Sequence, residues 1–483
     1  MRLKQSILAT VLVSSVISLN SYGENLIDAI DYAIRTNPSI HENRANISAI
    51  YDELRQAHGR SRPQVSVSAD TGYEVIDADS SRYSSTTVTG YDAHQYDSGS
   101  SQLWRTDASV KLTQNLFDGG ERKSEKQRQA ARVDASAIRL RERSEFIGVQ
   151  VAHAYLEILR QQETLDLAAK NVATHKAIVA QVSSLGSRTA SAADVAQAKS
   201  RLSRAEDNYT LITQELESQA ITFENLVGRK PGNLVKPSIK RTALPKTLDE
   251  AINLAAIKNP TIKYSKIDID VAKAELKATE ASFYPNLNFE LEAGMSNNSS
   301  GDTGASRNAS AMFVMNWDVY SGGIREARNS EYRNRVNEKV EVMKGAERSA
   351  IEEVKKTWDT LLRTDVRLEA LSKEVQYAKE VVATYREEFD AGSRDLLDVL
   401  QAENDLFVAH SNLIESKYSV IYNRYRLLAA TGSLLDYLGI IPMDEAFYNE
   451  RNETGIAYTN DLNRKDARLP HWAQRNKNAK NRK

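Results

Sequence analysis

The side chains that most often carry enzyme chemistry are sparse or badly spaced in this sequence. Its seven histidines include no pair four residues apart and no HExxH zinc motif. No serine lies in a GxSxG turn, and no phosphate-binding loop of the Walker type is present. The chain also contains no cysteine, which removes disulfides and thiolate ligands. These absences predict a protein that is not an enzyme and that holds no metal and no cofactor.

Two short polar segments stand out instead, because they recur. Residues 186–188 and 392–394 both read Gly-Ser-Arg, and each interrupts a long stretch of helical sequence. A glycine that ends one helix before polar residues that begin the next is typical of a helical hairpin tip. Two aspartates follow the tips at the spacing of capping pairs, Asp194 after Ser191 and Asp398 after Asp395. From spacing alone, helix capping is the simplest interpretation of both.

The two tips belong to a longer pattern that occurs twice in the same order, which indicates an internal repeat. The segment Leu26–Pro38 resembles Leu248–Pro260, and the di-glycine at 119–120 recurs at 322–323 in the same order. The predicted organisation is a signal peptide over 1–23, a first repeat over 24–228, a linker over 229–247, a second repeat over 248–440 and a disordered polar tail over 441–483.

The N-terminus and the charge balance indicate where the protein acts. Arg2 and Lys4 precede a short apolar stretch, and Ser21-Tyr22-Gly23 suits a signal peptidase, so Glu24 would begin the mature chain. The 64 basic and 65 acidic residues nearly cancel. The sequence therefore predicts an exported protein with no general attraction to nucleic acid.

Each repeat contains two segments in which apolar and polar residues alternate, as in strands with one apolar face. The predicted strands cover about 64–76, 103–117, 286–295 and 309–320, with a long loop from Asp77 to Gln102. The polar face carries Asp70, Glu74, Glu290 and Glu292, which are acceptable only toward water.

Four strands are too few to close a barrel, and open strand edges are costly in lipid. Three copies of the chain would give twelve strands and an aqueous lumen. After each di-glycine, a charge-rich stretch of roughly 65 residues predicts a helix about 100 Å long, which needs lateral neighbours along its length. Alternation alone would also suit soluble, half-buried hairpins.

The repeat, the strand exit Gln114-Asn-Leu-Phe-Asp-Gly-Gly120 and the tip Gly392-Ser-Arg-Asp-Leu-Leu-Asp-Val-Leu400 resemble TolC-family outer-membrane factors. The resemblance covers nearly the whole mature chain to about residue 440. It implies a mostly α-helical fold with a β-barrel part, a homotrimer in which four strands per protomer build a twelve-stranded outer-membrane barrel, and an α-helical barrel across the periplasm. The implied partners are outer-membrane lipid, a periplasmic adaptor and an inner-membrane ABC transporter.

The resemblance also implies roles for individual residues. In the family, acidic residues of the second tip point toward the tunnel axis, and an arginine before them ties the closed state together. Asp398 matches the first acidic position and Arg394 matches the arginine. Gln401 replaces a second aspartate and Phe389 replaces a tyrosine, so the constriction should be less acidic and partly held by packing. The tip residues expected to meet the adaptor are Gly186, Ser187, Gly392 and Ser393.

Within the family, a cysteine-free chain with this strand exit resembles the type I secretion branch. The expected function is an exit duct that passes protein from the ABC transporter to the cell exterior. The first alternative is the outer-membrane factor of a multidrug or small-molecule efflux pump, which needs the same pore. A second is a soluble periplasmic coiled-coil adaptor or scaffold. The residues of the pore carry little information about cargo.

Overall fold

The computed structural model describes residues 24–76, 82–88, 91–97, 101–184, 191–239, 241–299 and 303–453. The predicted signal peptide and the first hairpin tip, with Gly186 and Ser187, lie outside these residues. The described chain divides into two compact units. We call the first the hairpin unit (24–38, 144–251 and 354–441) and the second the sheet unit (39–143, 252–353 and 442–453).

The sheet unit contains a four-stranded antiparallel sheet in the order β1-β4-β5-β6. Its strands are β1 (Gln64–Ile76), β4 (Ser101–Phe117), β5 (Asn286–Asn297) and β6 (Ala305–Asn316). The sheet therefore joins one hairpin from each half of the chain through β4 and β5. A bulge between Asn115 and Phe117 shifts the register of that central pair.

The strands differ from the predicted ones in two places. The return strand expected over 309–320 runs instead over Ala305–Asn316, so Trp317 and Val319 follow it rather than belong to it. The predicted loop after β1 contains a separate hairpin, β2 (Arg82–Val88) and β3 (Tyr91–Asp97). Its Ser- and Thr-rich sequence lacks the clear apolar alternation on which the prediction of strands depended.

Long helices follow each half of the sheet. They are α3 (Glu121–Ser184), α4 (Ala192–Val227), α7 (Ile324–Asp390) and α8 (Leu396–Ala430). Shorter helices precede the strands: α1 (Leu26–Thr36), α2 (Pro38–Gly59), α5 (Leu248–Lys258) and α6 (Pro260–Glu280). In the described part of the chain, no helix is both long and apolar enough to cross a membrane.

Di-glycines mark the exits from the sheet because the backbone turns there with positive φ. Gly119 has φ +64°, and a Cβ added to it would lie 2.6 Å from the carbonyl oxygen of Ala281. Any side chain would therefore clash with the backbone at the end of α6. Gly119 fixes the close approach of the two halves where strand β4 becomes helix α3.

The hairpin unit ties the start of the described chain to the segment between the repeats. The backbone N–H of Glu24 donates to the Asn233 carbonyl over 2.7 Å, and its carboxylate accepts from Arg229 over 2.7 Å. The buried Tyr155 hydroxyl lies 2.6 Å from the Glu24 carbonyl oxygen and 2.7 Å from that of Val235. Burial raises the pKa of Tyr155 to about 12, so the phenol stays protonated and able to donate.

The C-terminal region corrects the prediction of a disordered tail from residue 441. After α9 (Leu434–Leu438), a short turn over Asp444–Phe447 and helix α10 (Glu450–Glu453) pack within the sheet unit. Arg451 is 2 % exposed and donates to Asp134 on α3 and Asp270 on α6, over 2.8 and 2.6 Å. The prediction of disorder depended on the low apolar content of this segment. The segment is ordered because a buried cluster of charged side chains holds it in place. Residues 454–483 lie outside the described part.

Candidate gate and pore-lining residues

The turn between α7 and α8 is the hairpin tip that the structure describes. Gly392 has φ +76°, a conformation that glycine adopts without strain. The Gly392 N–H donates to the Phe389 carbonyl over 2.9 Å, and the Ser393 N–H donates to the Glu388 carbonyl over 2.9 Å. These paired bonds end α7 and present Gly392 and Ser393 on an exposed turn.

Arg394 connects the two sides of this turn. Its Nε donates to Glu388 on α7 over 2.8 Å, and its Nη1 donates to Asp398 on α8 over 3.1 Å. The guanidinium carbon also lies 4.1 Å from the centre of the Tyr385 ring, within cation–π distance. Three groups therefore hold one cation at the tip.

The structure decides between capping and ion pairing for the two tip aspartates. Ser191 and Asp194 form a reciprocal capping box at the start of α4. At the start of α8, the Asp395 side chain makes no capping bond, and Asp398 accepts from Arg394 instead. The capping interpretation is correct for Asp194 and wrong for Asp398, because a nearby guanidinium offers the second carboxylate a charge-assisted partner.

The other two residues predicted at the constriction have separate surroundings. Gln401 donates to Asp405 over 2.8 Å on the exposed surface of α8, whereas Arg394 donates to Glu388 and Asp398. Phe389 packs against a buried cluster near the tip. That cluster consists of Ile178, Val182, Ala198, Leu396 and Leu400, drawn from α3, α4 and α8.

A polar contact crosses between the two helical hairpins beside this cluster. Gln181, near the end of α3, donates to Asp390 at the end of α7 over 2.8 Å. Sequence reasoning missed this pair, and also Glu388 and Tyr385 as partners of Arg394. The partners lie on different helices or across the turn, where spacing along the chain gives no signal.

His175 is buried on α3, about ten residues before the end of that helix at Ser184. Burial lowers its pKa below the usual 6.5, and the positive charges of Arg201 and Arg386 lower it further. Arg386 itself is paired with Glu403, a carboxylate that is 6 % exposed. The histidine is therefore neutral in the folded hairpin unit at neutral pH.

We expect stability to fall as the pH drops below about 6.5, because the unfolded chain then binds a proton that folded His175 resists. Above that pH both states leave His175 neutral and its contribution is fully present. The His175→Gln variant should show a flatter loss of thermal stability between about pH 7 and pH 5. An unchanged slope would show that other groups govern this pH range.

The two faces of the sheet differ in chemistry. One face is apolar, with Val67 73 % exposed and Phe313 71 % exposed. The opposite face is charged. On it Arg105 pairs with Asp107 and lies 3.0 Å from a Glu74 oxygen, and Lys111 lies 2.7 Å from Glu290. A sheet with exposed apolar residues on one face and ion pairs on the other suits a boundary between lipid and water.

No cluster of metal-ligating side chains is present among the residues that the structure describes. The charged face and the Arg394 tip are the two places where the sequence predicted that a pore would be lined and closed.

Comparison with known proteins identifies the family. The model of the outer membrane efflux protein family matches residues 29–229 and 251–433. The chain is 24 % identical over 445 residues to the outer membrane efflux protein BepC of Brucella suis, covering 90 % of this chain and 92 % of BepC. It is 21 % identical over 434 residues to TolC of Escherichia coli, covering 86 % and 83 %.

Two further comparisons bear on function and fold. The alkaline protease secretion protein AprF of Pseudomonas aeruginosa is 25 % identical over 349 residues, with 70 % of each chain covered. A crystal structure of a membrane protein from Pseudomonas aeruginosa superposes with a TM-score of 0.72 at 19 % identity, covering 84 % of this chain and 90 % of that one. These similarities confirm the TolC-type fold and the outer-membrane location that the sequence predicted. The chain belongs to the outer membrane efflux protein family, whose members form channels in the outer membrane.

Proposed function

We propose that this chain is the outer-membrane exit duct of a type I secretion system and acts as a homotrimer. The observation that supports the trimer is the open sheet: the outer edges of β1 and β6 pair with no other strand in the described part of the chain. Edges of this kind are costly in hydrocarbon unless another copy pairs with them. Three copies would close twelve strands around the charged face.

In this proposal the tip of α7 and α8 narrows the far end of the duct. Arg394, bound to Glu388 and Asp398, holds the turn in one conformation, and Phe389 anchors it to the buried cluster. Three copies of Asp398 near one axis would favour cations. Because Gln401 is uncharged, the ring would be less acidic than one with a second aspartate at that position. An adaptor would dock at the tips, through Gly186, Ser187, Gly392 and Ser393, and an ABC transporter would supply energy.

The proposal of protein cargo draws on the absence of cysteine, on the strand-exit motif and on the similarity to AprF, whose name states secretion of a protease. The second candidate is an efflux duct for small molecules, favoured by the similarity to BepC. A secretion duct and an efflux duct need the same kind of pore, so only the inner-membrane partner and the cargo distinguish the two candidates.

The experiment that tests this proposal compares surface-attached and released proteins from cells with and without the gene. We expect the deletion to remove one large secreted protein, and complementation to restore it. An unchanged protein profile together with new sensitivity to drugs or detergents would contradict type I secretion and support efflux.

A further inference from the structure

A cavity of about 930 Å³ lies in the sheet unit where the sheet gives way to the helices. Its walls come from the start of α3, the end of α6 and the start of α7. Three cations line it, Lys123, Lys277 and Arg333. Across the described ranges, the side chain of none of the three forms an ion pair or hydrogen bond with another residue. Two carboxylates, Glu280 and Glu326, also line the cavity, so the positive groups outnumber the negative ones.

The register of the sheet shows on which side this cavity opens. Phe117 lines the cavity and pairs with Leu287. Leu287 shares its face of β5 with Leu291, because residues two apart along a strand point the same way and these are four apart. The bulge after Asn115 is what brings Phe117 onto this apolar face. The cavity therefore opens toward the face that lipid would cover.

Aromatic residues also lie at this cavity, where the sheet meets the helices. Phe283 and Tyr284 line the cavity, and Tyr284 is 57 % exposed. Tyrosine rings at the edge of an apolar surface are typical of the headgroup level of a membrane. The cavity thus lies where a lipid headgroup would meet the protein, at the helical end of the sheet.

A shallower cavity of about 490 Å³ lies on the sheet itself. It is lined mainly by Val110, Leu112, Leu291, Ala293, Ala309 and Ala311. The alanines leave a trough between larger neighbours on the apolar face. A trough of small apolar side chains suits a hydrocarbon chain, and it shares its face with Phe117 at the mouth of the larger cavity.

Phe117 places the larger cavity at the centre of the sheet, away from the edges at which copies of the chain would pair. The sheet order places β4 and β5 in the centre, with β1 and β6 outside. Phe117 ends the central strand β4, whereas the second cavity is lined from β4, β5 and the outer strand β6. Closing a trimer through the backbone edges of β1 and β6 would leave the apolar face of all four strands turned toward lipid.

We propose that the larger cavity binds the phosphate headgroup of an anionic glycerophospholipid from the membrane leaflet at the helical end of the sheet. Lys123, Lys277 and Arg333 bind the phosphate, and one acyl chain lies along the apolar face toward the alanine trough. Glu280 and Glu326 can accept hydrogen bonds from headgroup hydroxyls. The site would fix the depth of the sheet in the outer membrane.

The test measures lipid binding by the full-length, detergent-extracted protein. Native mass spectrometry and thermal unfolding would be recorded with phosphatidylglycerol, with phosphatidylcholine and with inorganic phosphate alone. We expect phosphatidylglycerol to bind and to raise the unfolding temperature more than phosphatidylcholine. The K123Q/K277Q/R333Q variant should weaken this binding by about fivefold per cation, or about a hundredfold in all.

The matched control is K170Q/K199Q/R204Q, which removes three exposed cations from α3 and α4 in the hairpin unit. It should bind phosphatidylglycerol like the unmodified protein, and conductance in planar bilayers shows that both variants still fold. Equal binding of the two lipids, equal loss in both triple variants, or equal stabilisation by inorganic phosphate alone would overturn the proposal. Loss of lipid binding with normal secretion would leave the duct proposal intact.

Discussion

Replacing Arg394 with alanine is expected to raise the single-channel conductance of the purified protein in a planar lipid bilayer. Arg394 bonds to Glu388 across the turn and to Asp398 in the first turn of α8, so its loss removes the cation that both carboxylates share. The carboxylates would then repel each other within each tip and, in the proposed trimer, between tips. A looser tip gives a wider constriction.

Arg363→Ala is the matched control for this prediction. Arg363 lies on the same helix and pairs with Asp359 four residues away, but its side chain is 79 % exposed and the pair is far from the turn. An exposed pair of this kind contributes about 1 kcal/mol or less. Equal conductance in both variants would contradict the assignment of the α7–α8 tip as the gate.

Among the substitutions proposed for this protein, replacing Arg451 with methionine is expected to cause the largest loss in the free energy of unfolding. Arg451 is 2 % exposed and Asp134 is fully buried, so the change leaves a buried carboxylate without its guanidinium. Removing one partner from a buried ion pair costs about 3–5 kcal/mol. Thermal unfolding should shift to lower temperature, and limited proteolysis should cut between α9 and α10.

The matched control in the same unit is Arg55→Met. Arg55 pairs with Asp52 over 2.9 Å, yet both side chains are largely exposed. Water replaces such a partner readily, so the expected loss is about 1 kcal/mol or less. If the two methionine variants unfold at the same temperature, Arg451 does not hold the C-terminal segment in place.

The strands show how far sequence reasoning could reach. Alternation predicted a strand from Gln64 to Ile76, and β1 has these bounds, because one apolar face and one polar face leave only one register that suits both solvents. The prediction was wrong at the end of β6, where Trp317 and Val319 continue the alternation beyond the strand. Pairing with β5, which begins at Asn286 opposite Asn316, ends β6 there.

The gate and the C-terminal segment show where such reasoning stopped. Arg394 and Asp398 were predicted from a family resemblance, and the structure brings the two together within each tip. Their contacts with Glu388 and Tyr385 depend on the shape of the turn. The order of residues 442–453 depends on Asp134 and Asp270, more than 170 residues away in sequence, and no local pattern reports a buried ion cluster of that kind.

The most direct test of the central claim uses the absence of native cysteine. Single cysteines placed along β1 would be treated, in intact outer membranes, with a charged thiol reagent that cannot enter lipid. If the charged face lines an aqueous pore, S66C and S68C should react quickly, whereas V65C and V67C should react slowly. Equal reactivity at all four positions would contradict a membrane-spanning sheet and favour a water-exposed one.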